Sequence, residues 1–265
     1  MLNEDGTLAR EGALDRVPEA FAPVVDAARV RIGNTFGPAR LDSAYLYGSV
    51  PRGTARVGVS DLDLLIALRD EPTDADRAAV AAMEADLDRA FPQIDGVGTL
   101  LFAASTLLSE LERHDLGFFV ACLCTPLLGE DLAPRLPRYR PTSLLAREIN
   151  GDLALILPRW RRRAAEATTD AERGRLGRWV GRHLVRTGFT LVMPRWGDWT
   201  SDLEDMAGIF GRYHPERAGQ MRMAAAVGRR AVDATPAVLS LLIDDLGPWL
   251  AAEYRSVHGE KAPRP

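Results

Sequence analysis

Apolar positions recur along this chain in two different rhythms. Over residues 15–36, Val24, Val25, Ala28 and Ile32 fall at helical spacing, and Gly37 is placed to end that helix. Short apolar runs then predict strands at 44–47, 61–68, 97–103 and 118–124. The run from Asp61 to Leu68 is too apolar for a half-exposed strand and reads as a central one. A helix over 73–90, opened by Thr73 or Asp74 and closed before Pro92, separates the second run from the third. Another, from about Ser105 to Arg113, separates the third from the fourth. After Pro126 the strand rhythm ends. Pro134, Pro137 and Pro141 mark a linker, and a period of 3.6 fills the remainder over 142–166, 171–193, 199–213, 215–234 and 236–257. Asp198 or Thr200, Pro215 and Pro236 suit the starts of the last three. The pattern predicts an α/β (α+β) chain: a small α/β domain over 1–140, then an all-helical domain over 141–265.

Composition changes this picture little. Hydrophobic residues make up 46% of the 265 and charged residues 26%, as in an ordinary globular protein. No apolar run approaches 18 residues, and the N-terminus lacks a basic-then-apolar signal, so a soluble, cytoplasmic protein with no membrane partner is expected. Cys122 and Cys124 would share a face of a strand, and structural thiols in a reducing compartment are the expected reading. The four histidines, His114, His183, His214 and His258, form no metal spacing.

Charge adds an asymmetry to the net value of −4. Residues 1–140 carry 14 Lys+Arg against 22 Asp+Glu, whereas residues 141–265 carry 19 against 15. The first part suits cations and the second suits phosphates. Arg161-Arg162-Arg163 lacks the aromatic interleaving of a nucleic-acid strip, so it reads as solvated surface and nucleic acid is not an expected partner.

The chemistry lies in Gly48-Ser49 and Asp61-x-Asp63. Side chains two apart on a strand project from one face, so Asp61 and Asp63 converge. Two neighbouring carboxylates at the head of a buried strand repel each other, and a divalent cation offsets that cost. Mg²⁺ takes one or two carboxylates together with triphosphate oxygens and water. A glycine such as Gly48 lets backbone approach a phosphate closely, and the Ser49 hydroxyl adds a donor to the same group.

Tyr45-Leu46-Tyr47-Gly48-Ser49-Val50-Pro51-Arg52-Gly53, continuing to Ser60-Asp61-Leu62-Asp63-Leu64-Leu65, resembles the signature of the DNA polymerase β nucleotidyltransferase superfamily. In two-domain layout the chain is similar to bacterial aminoglycoside adenylyltransferases. Pro126-Leu127-Leu128-Gly129-Glu130-Asp131-Leu132 resembles the segment that closes the family's first domain. The resemblance implies a mixed sheet, Gly48 and Ser49 on the triphosphate, and Asp61 and Asp63 on two Mg²⁺ ions. It also implies a third carboxylate on a neighbouring strand, to bind metal or take the acceptor's proton. Asp95 is the candidate, although Gly96 and Gly98 follow it where the family has strand formers. From the helical part, Arg186 and Arg195 resemble the basic pair that grips the triphosphate, with Arg178 and Arg182 extending the ridge. Trp196, Trp199 and Tyr213 are placed to stack on an adenine or acceptor ring, with core packing as the competing reading.

The function expected from this resemblance is antibiotic-resistance chemistry: transfer of AMP from ATP to a hydroxyl of a small, aminoglycoside-like acceptor. Two alternatives stand beside it. One is nucleotidylation of a protein or RNA, as in toxin–antitoxin systems. The other is a regulatory module that binds nucleotide without turning it over.

Overall fold

A computed structural model describes residues 2–264, which divide into two compact units. One runs from Ala9 to Tyr139; the other begins at Arg140 and takes in the N-terminal segment up to Leu8.

The first unit is built on four strands, β1 (Leu41–Tyr47), β2 (Leu62–Leu68), β3 (Val97–Ala103) and β4 (Cys124–Gly129). Their order across the sheet is β3-β2-β1-β4. β1 runs antiparallel to both β2 and β4, while β2 and β3 are parallel, so the sheet is mixed. The parallel pair needs a crossover, supplied by helix α3 (Asp74–Ala90). Thr73 caps it in a capping box with Asp76. Arg40 closes on Asp76 at 2.5 Å, and its guanidinium, with the Thr73 groups, holds the Asp76 carboxyl well below the usual carboxylate range.

Alternation along the strands makes two cores. Leu62, Leu64, Ile66 and Leu68 of β2 face α3 and helix α1 (Ala22–Arg40), against Val24, Ile32, Met83 and Leu87. Leu65 and Ala67 face the other way, with Tyr45, against Ala104, Leu107, Val120 and Leu132. Both faces are therefore dry along most of β2, which is why its run is continuously apolar. The regular part of α1 ends at Gly37, as expected, and a further turn follows across the kink. Gly37, at φ 61°, breaks its geometry and Pro38 follows within the same helix.

The segment 105–124 differs from expectation. Helical order ends after one turn, Ala104–Leu107, and the chain proceeds through turns to a short helix at Leu116–Phe118 and a π-helical turn at Phe119–Leu123. The fourth strand starts only at Cys124 and runs through Pro126. An apolar run of this length does not distinguish a strand from a buried helical segment. Proline is tolerated in β4 because β4 is a sheet edge and its register shifts between Ala44 and Tyr45, where Pro126 pairs. The buried Tyr45 hydroxyl accepts from the Leu132 backbone N–H at 2.8 Å, and Arg10 pairs with Asp131 at 2.9 Å. These contacts pin the end of this segment.

The second unit contains helices α4 (Ser143–Asn150), α5 (Leu153–Glu166), α6 (Asp170–Trp196), α7 (Leu203–Tyr213), α8 (Ala218–Gly228) and α9 (Gly247–His258). The expected helix over 142–166 is two helices, interrupted after Asn150 at Gly151. α7 starts later than expected, because Asp202 rather than Asp198 or Thr200 accepts from the first-turn amides. The span 236–257 opens with Thr235 capping Pro236–Ser240, passes through a π-helical turn at Leu241–Leu246, and ends as α9. α6 is the axis of the unit, with a buried stripe running from Leu176 to Met193.

Candidate nucleotide site

β1 ends at Tyr47, and Gly48 turns the chain at φ 79°, ψ −149° into a single helical turn, α2 (Ser49–Arg52). That backbone region is open essentially to glycine alone. Gly53, at φ 77°, ends the turn, with its amide and that of Thr54 bonded back to it. Ser49 is therefore held at the mouth of a closed loop rather than on a free one. Tyr47 lies opposite Asp63 in the β1–β2 register. A Cβ added to Gly48 would strike the Asp63 carboxylate oxygen, so Gly48 is needed both for its backbone angle and for the space it leaves.

On the other side of Asp63 the β2–β3 register places Gly98. A Cβ there would lie 3.8 Å from Asp63 Oδ1, in ordinary contact. The Asp63 carboxylate is thus flanked by two glycines from neighbouring strands. The pairing continues past the end of β2. Leu62 donates to the Gly96 carbonyl at 2.8 Å, and Asp95 donates its backbone N–H to the Ser60 carbonyl at 3.0 Å. Asp61 and Asp63 fall on the face that carries Leu65 and Ala67, two and four residues further along. Both are partly exposed. Beside them, Tyr47 meets Phe119 edge-on at 4.8 Å between ring centroids.

Asp95 is exposed, in a bend before β3. Among the described residues no three Asp, Glu, His or Cys side chains come together closely enough to hold a metal ion. The pairing sets Asp95 against Ser60, one residue ahead of Asp61, and Gly98 against Asp63. The residue that β3 sets beside Asp63 is Gly98. Its signal was visible as a glycine inside a strand pattern, which marks close approach of other groups. The two remaining carboxylates, on one face with a glycine cradle between strands, fit a Mg²⁺ ion that completes its shell with ligand phosphate and water.

In the helical unit, Arg178, Arg182 and Arg186 recur every fourth residue and share one face of α6. Arg195 is nine residues beyond Arg186, which on a helix of 3.6 residues per turn places it on the opposite side. Its guanidinium lies 4.6 Å from the Tyr213 ring centroid. Arg186 and Arg195 are therefore not brought together as a pair. Trp196 and Trp199 each meet Phe189 edge-on, at 5.7 and 5.5 Å. The aromatic group expected to stack on a ligand is engaged in packing within this unit.

The cysteines and histidines have structural settings. Cys122 and Cys124 are buried thiols, and burial pushes the Cys122 thiol up to about 12 and that of Cys124 well above its ordinary value. His258 bonds through Nδ1 to Ser143 Oγ at 2.7 Å and through Nε2 to the Leu191 carbonyl at 2.9 Å.

Comparison with curated proteins finds no match to this chain. Residues 36–101, from the end of α1 through most of β3 and including Gly48, Ser49, Asp61, Asp63 and Asp95, match the family model of the nucleotidyltransferase domain, which supports nucleotidyl transfer as the chain's general function.

Proposed function

We propose that the protein is a Mg²⁺-dependent adenylyltransferase that moves AMP from ATP to a hydroxyl of a small, cationic acceptor of the aminoglycoside type. The observation that carries this reading is the pairing of Tyr47 with Asp63, which sets the Gly48-Ser49 turn directly against the Asp63 carboxylate. One short stretch thus presents a glycine turn, a hydroxyl donor and an acidic pair. The Ser49 hydroxyl holds the β- and γ-phosphates, and Asp61 and Asp63 would hold Mg²⁺. The ion they hold would neutralise charge on the phosphates. The acceptor oxygen forms a bond to the α-phosphorus as its proton leaves. The bond from that phosphorus to the bridging oxygen breaks, and pyrophosphate departs. Asp95 is our candidate for receiving the proton. An excess of acids over bases in residues 1–140 supports a polycationic acceptor.

The test is pyrophosphate release from ATP over a panel of aminoglycosides with Mg²⁺. Asp61→Asn and Asp63→Asn should each lower the rate by about a hundredfold or more, the scale of removing a preorganised electrostatic interaction. Near-normal turnover in either variant would remove the proposal.

One observation favours a second reading. With Gly98 rather than a carboxylate beside Asp63, the face carries two acids, which supports a module that binds nucleotide without transferring it. Calorimetry showing tight ATP·Mg²⁺ binding, with no pyrophosphate release over the whole panel, would select it.

A further inference from the structure

Trp160, which immediately precedes Arg161-Arg162-Arg163 in sequence, is buried, but the fold brings an exposed aromatic ring to the same place. Trp179 of α6 remains 37% exposed and leans edge-on against the buried Trp160 of α5, with ring centroids 5.5 Å apart. The Arg159 and Arg163 guanidiniums lie 5.8 and 5.6 Å from the Trp179 ring centroid. A hollow of about 380 Å³ opens beside this platform, with Arg163, Glu166, Glu172, Arg175 and Trp179 in its wall. A second hollow of about 740 Å³ shares Arg175 and continues to Arg230.

The charges here are unevenly matched. Arg161 pairs with Asp244 and Arg173 with Asp170. Arg159, Arg162, Arg163 and Arg175 have no carboxylate partner among the described residues. Glu172 is committed to the amides and hydroxyls of Thr168 and Thr169, which hold its carboxyl down at about 2. Guanidiniums without carboxylate partners around an exposed indole, beside two hollows that share Arg175, suit a repeating anion that also carries flat rings. A base stacks on an aromatic or guanidinium plane only when it is not already paired in a duplex.

We propose that this α5–α6 corner binds single-stranded nucleic acid, with an unpaired base stacked against the Trp179–Arg163 platform and phosphates on Arg159, Arg163 and Arg175. The site lies wholly within the helical unit and does not rest on the transferase reading.

The test uses the full chain and fluorescence anisotropy with a labelled oligouridylate of about 12 nucleotides, within the span of a single-strand site. Trp179→Ala should weaken binding about tenfold or more, while Trp179→Phe stays within about threefold of the parent. The double variant Arg163→Ala/Arg175→Ala should lower the slope of log K against log salt by about 1.4, near 0.7 for each phosphate that is no longer neutralised. Absence of saturable binding at low salt would overturn the proposal. So would a duplex of equal length binding as tightly as the single strand, or uridine monophosphate matching the oligomer. An unchanged salt slope in the arginine variant, with its thermal melt intact, would overturn it as well. Pyrophosphate release measured on the same variants keeps this outcome separate from that of the proposed transfer reaction.

Discussion

Single atoms decide the geometry around Asp63. Gly48 combines a left-handed φ of 79° with a carboxylate oxygen in the place a methyl group would take. Gly48→Ala is therefore expected to destabilise the chain by about 1–3 kcal/mol through backbone strain and to displace the carboxylate. A thermal melt and a pyrophosphate assay would both fall; a melt and rate equal to the parent would show that Asp63 is not pressed against this turn. Gly98 has room for a methyl, so Gly98→Ala should leave the melt within about 0.5 kcal/mol, the ordinary scatter for a harmless substitution. Ser49 provides a sharper test of phosphate binding. Ser49→Ala should weaken ATP by about 1.5–3 kcal/mol, the range of a hydrogen bond to a charged group. AMP, without the outer phosphates, should change far less. An equal loss for both ligands would move Ser49 away from the triphosphate.

At the scale of elements, caps and buried ends carry much of the specification. Thr73 and Thr169 open α3 and α6 through capping boxes, each satisfying amides that a helix otherwise leaves bare. The far end of α9 is held by His258, whose ring joins α4 through Ser143 and α6 through the Leu191 carbonyl. Burial holds this imidazole below its ordinary value, against the opposing pull of the Leu191 and Thr190 carbonyls. The folded chain thus takes up the proton less readily than the unfolded chain. Stability from the neutral ring is fully present above the ordinary histidine value of about 6.5 and is lost as pH falls below it. The melting temperature should accordingly be flat from about pH 8 to 7 and decline between about 6.5 and 5. His258→Gln should flatten that decline, and a decline equally steep in the variant would assign it to other groups.

At the scale of the whole molecule, each unit has its own hydrophobic interior. Residues from Ala9 to Tyr139 contain both sheet cores, so that segment expressed alone should give one cooperative urea transition. A non-cooperative, molten profile would show that this unit depends on the helical one. Kinetics decide whether arginines of α6 take part in the proposed transfer. Arg186→Ala should raise the ATP concentration at half-maximal rate. Arg195→Ala should have a smaller effect, since its guanidinium is already placed over Tyr213. A larger effect at Arg195 would reverse that assignment.

The pattern of the chain alone was sufficient for the α/β part followed by helices, for the central strand β2 and for the acidic pair. Each of these is written in local terms: a period of 2 or 3.6, a continuous apolar run, or a carboxylate spacing. The Gly-Ser turn was legible for the same reason. Tertiary structure alone decided that Phe119–Leu123 coils while the strand waits until Cys124, because an apolar run is equally content in either form once buried. It also decided that Gly98, and not Asp95, lies beside Asp63, since register between strands is set by pairing over the whole sheet. Helix length did the same for the arginines, turning Arg195 to the side of α6 opposite Arg186. And it brought Trp179 to an arginine run sixteen residues earlier, a neighbourhood created by the packing of α5 on α6 and invisible along the chain.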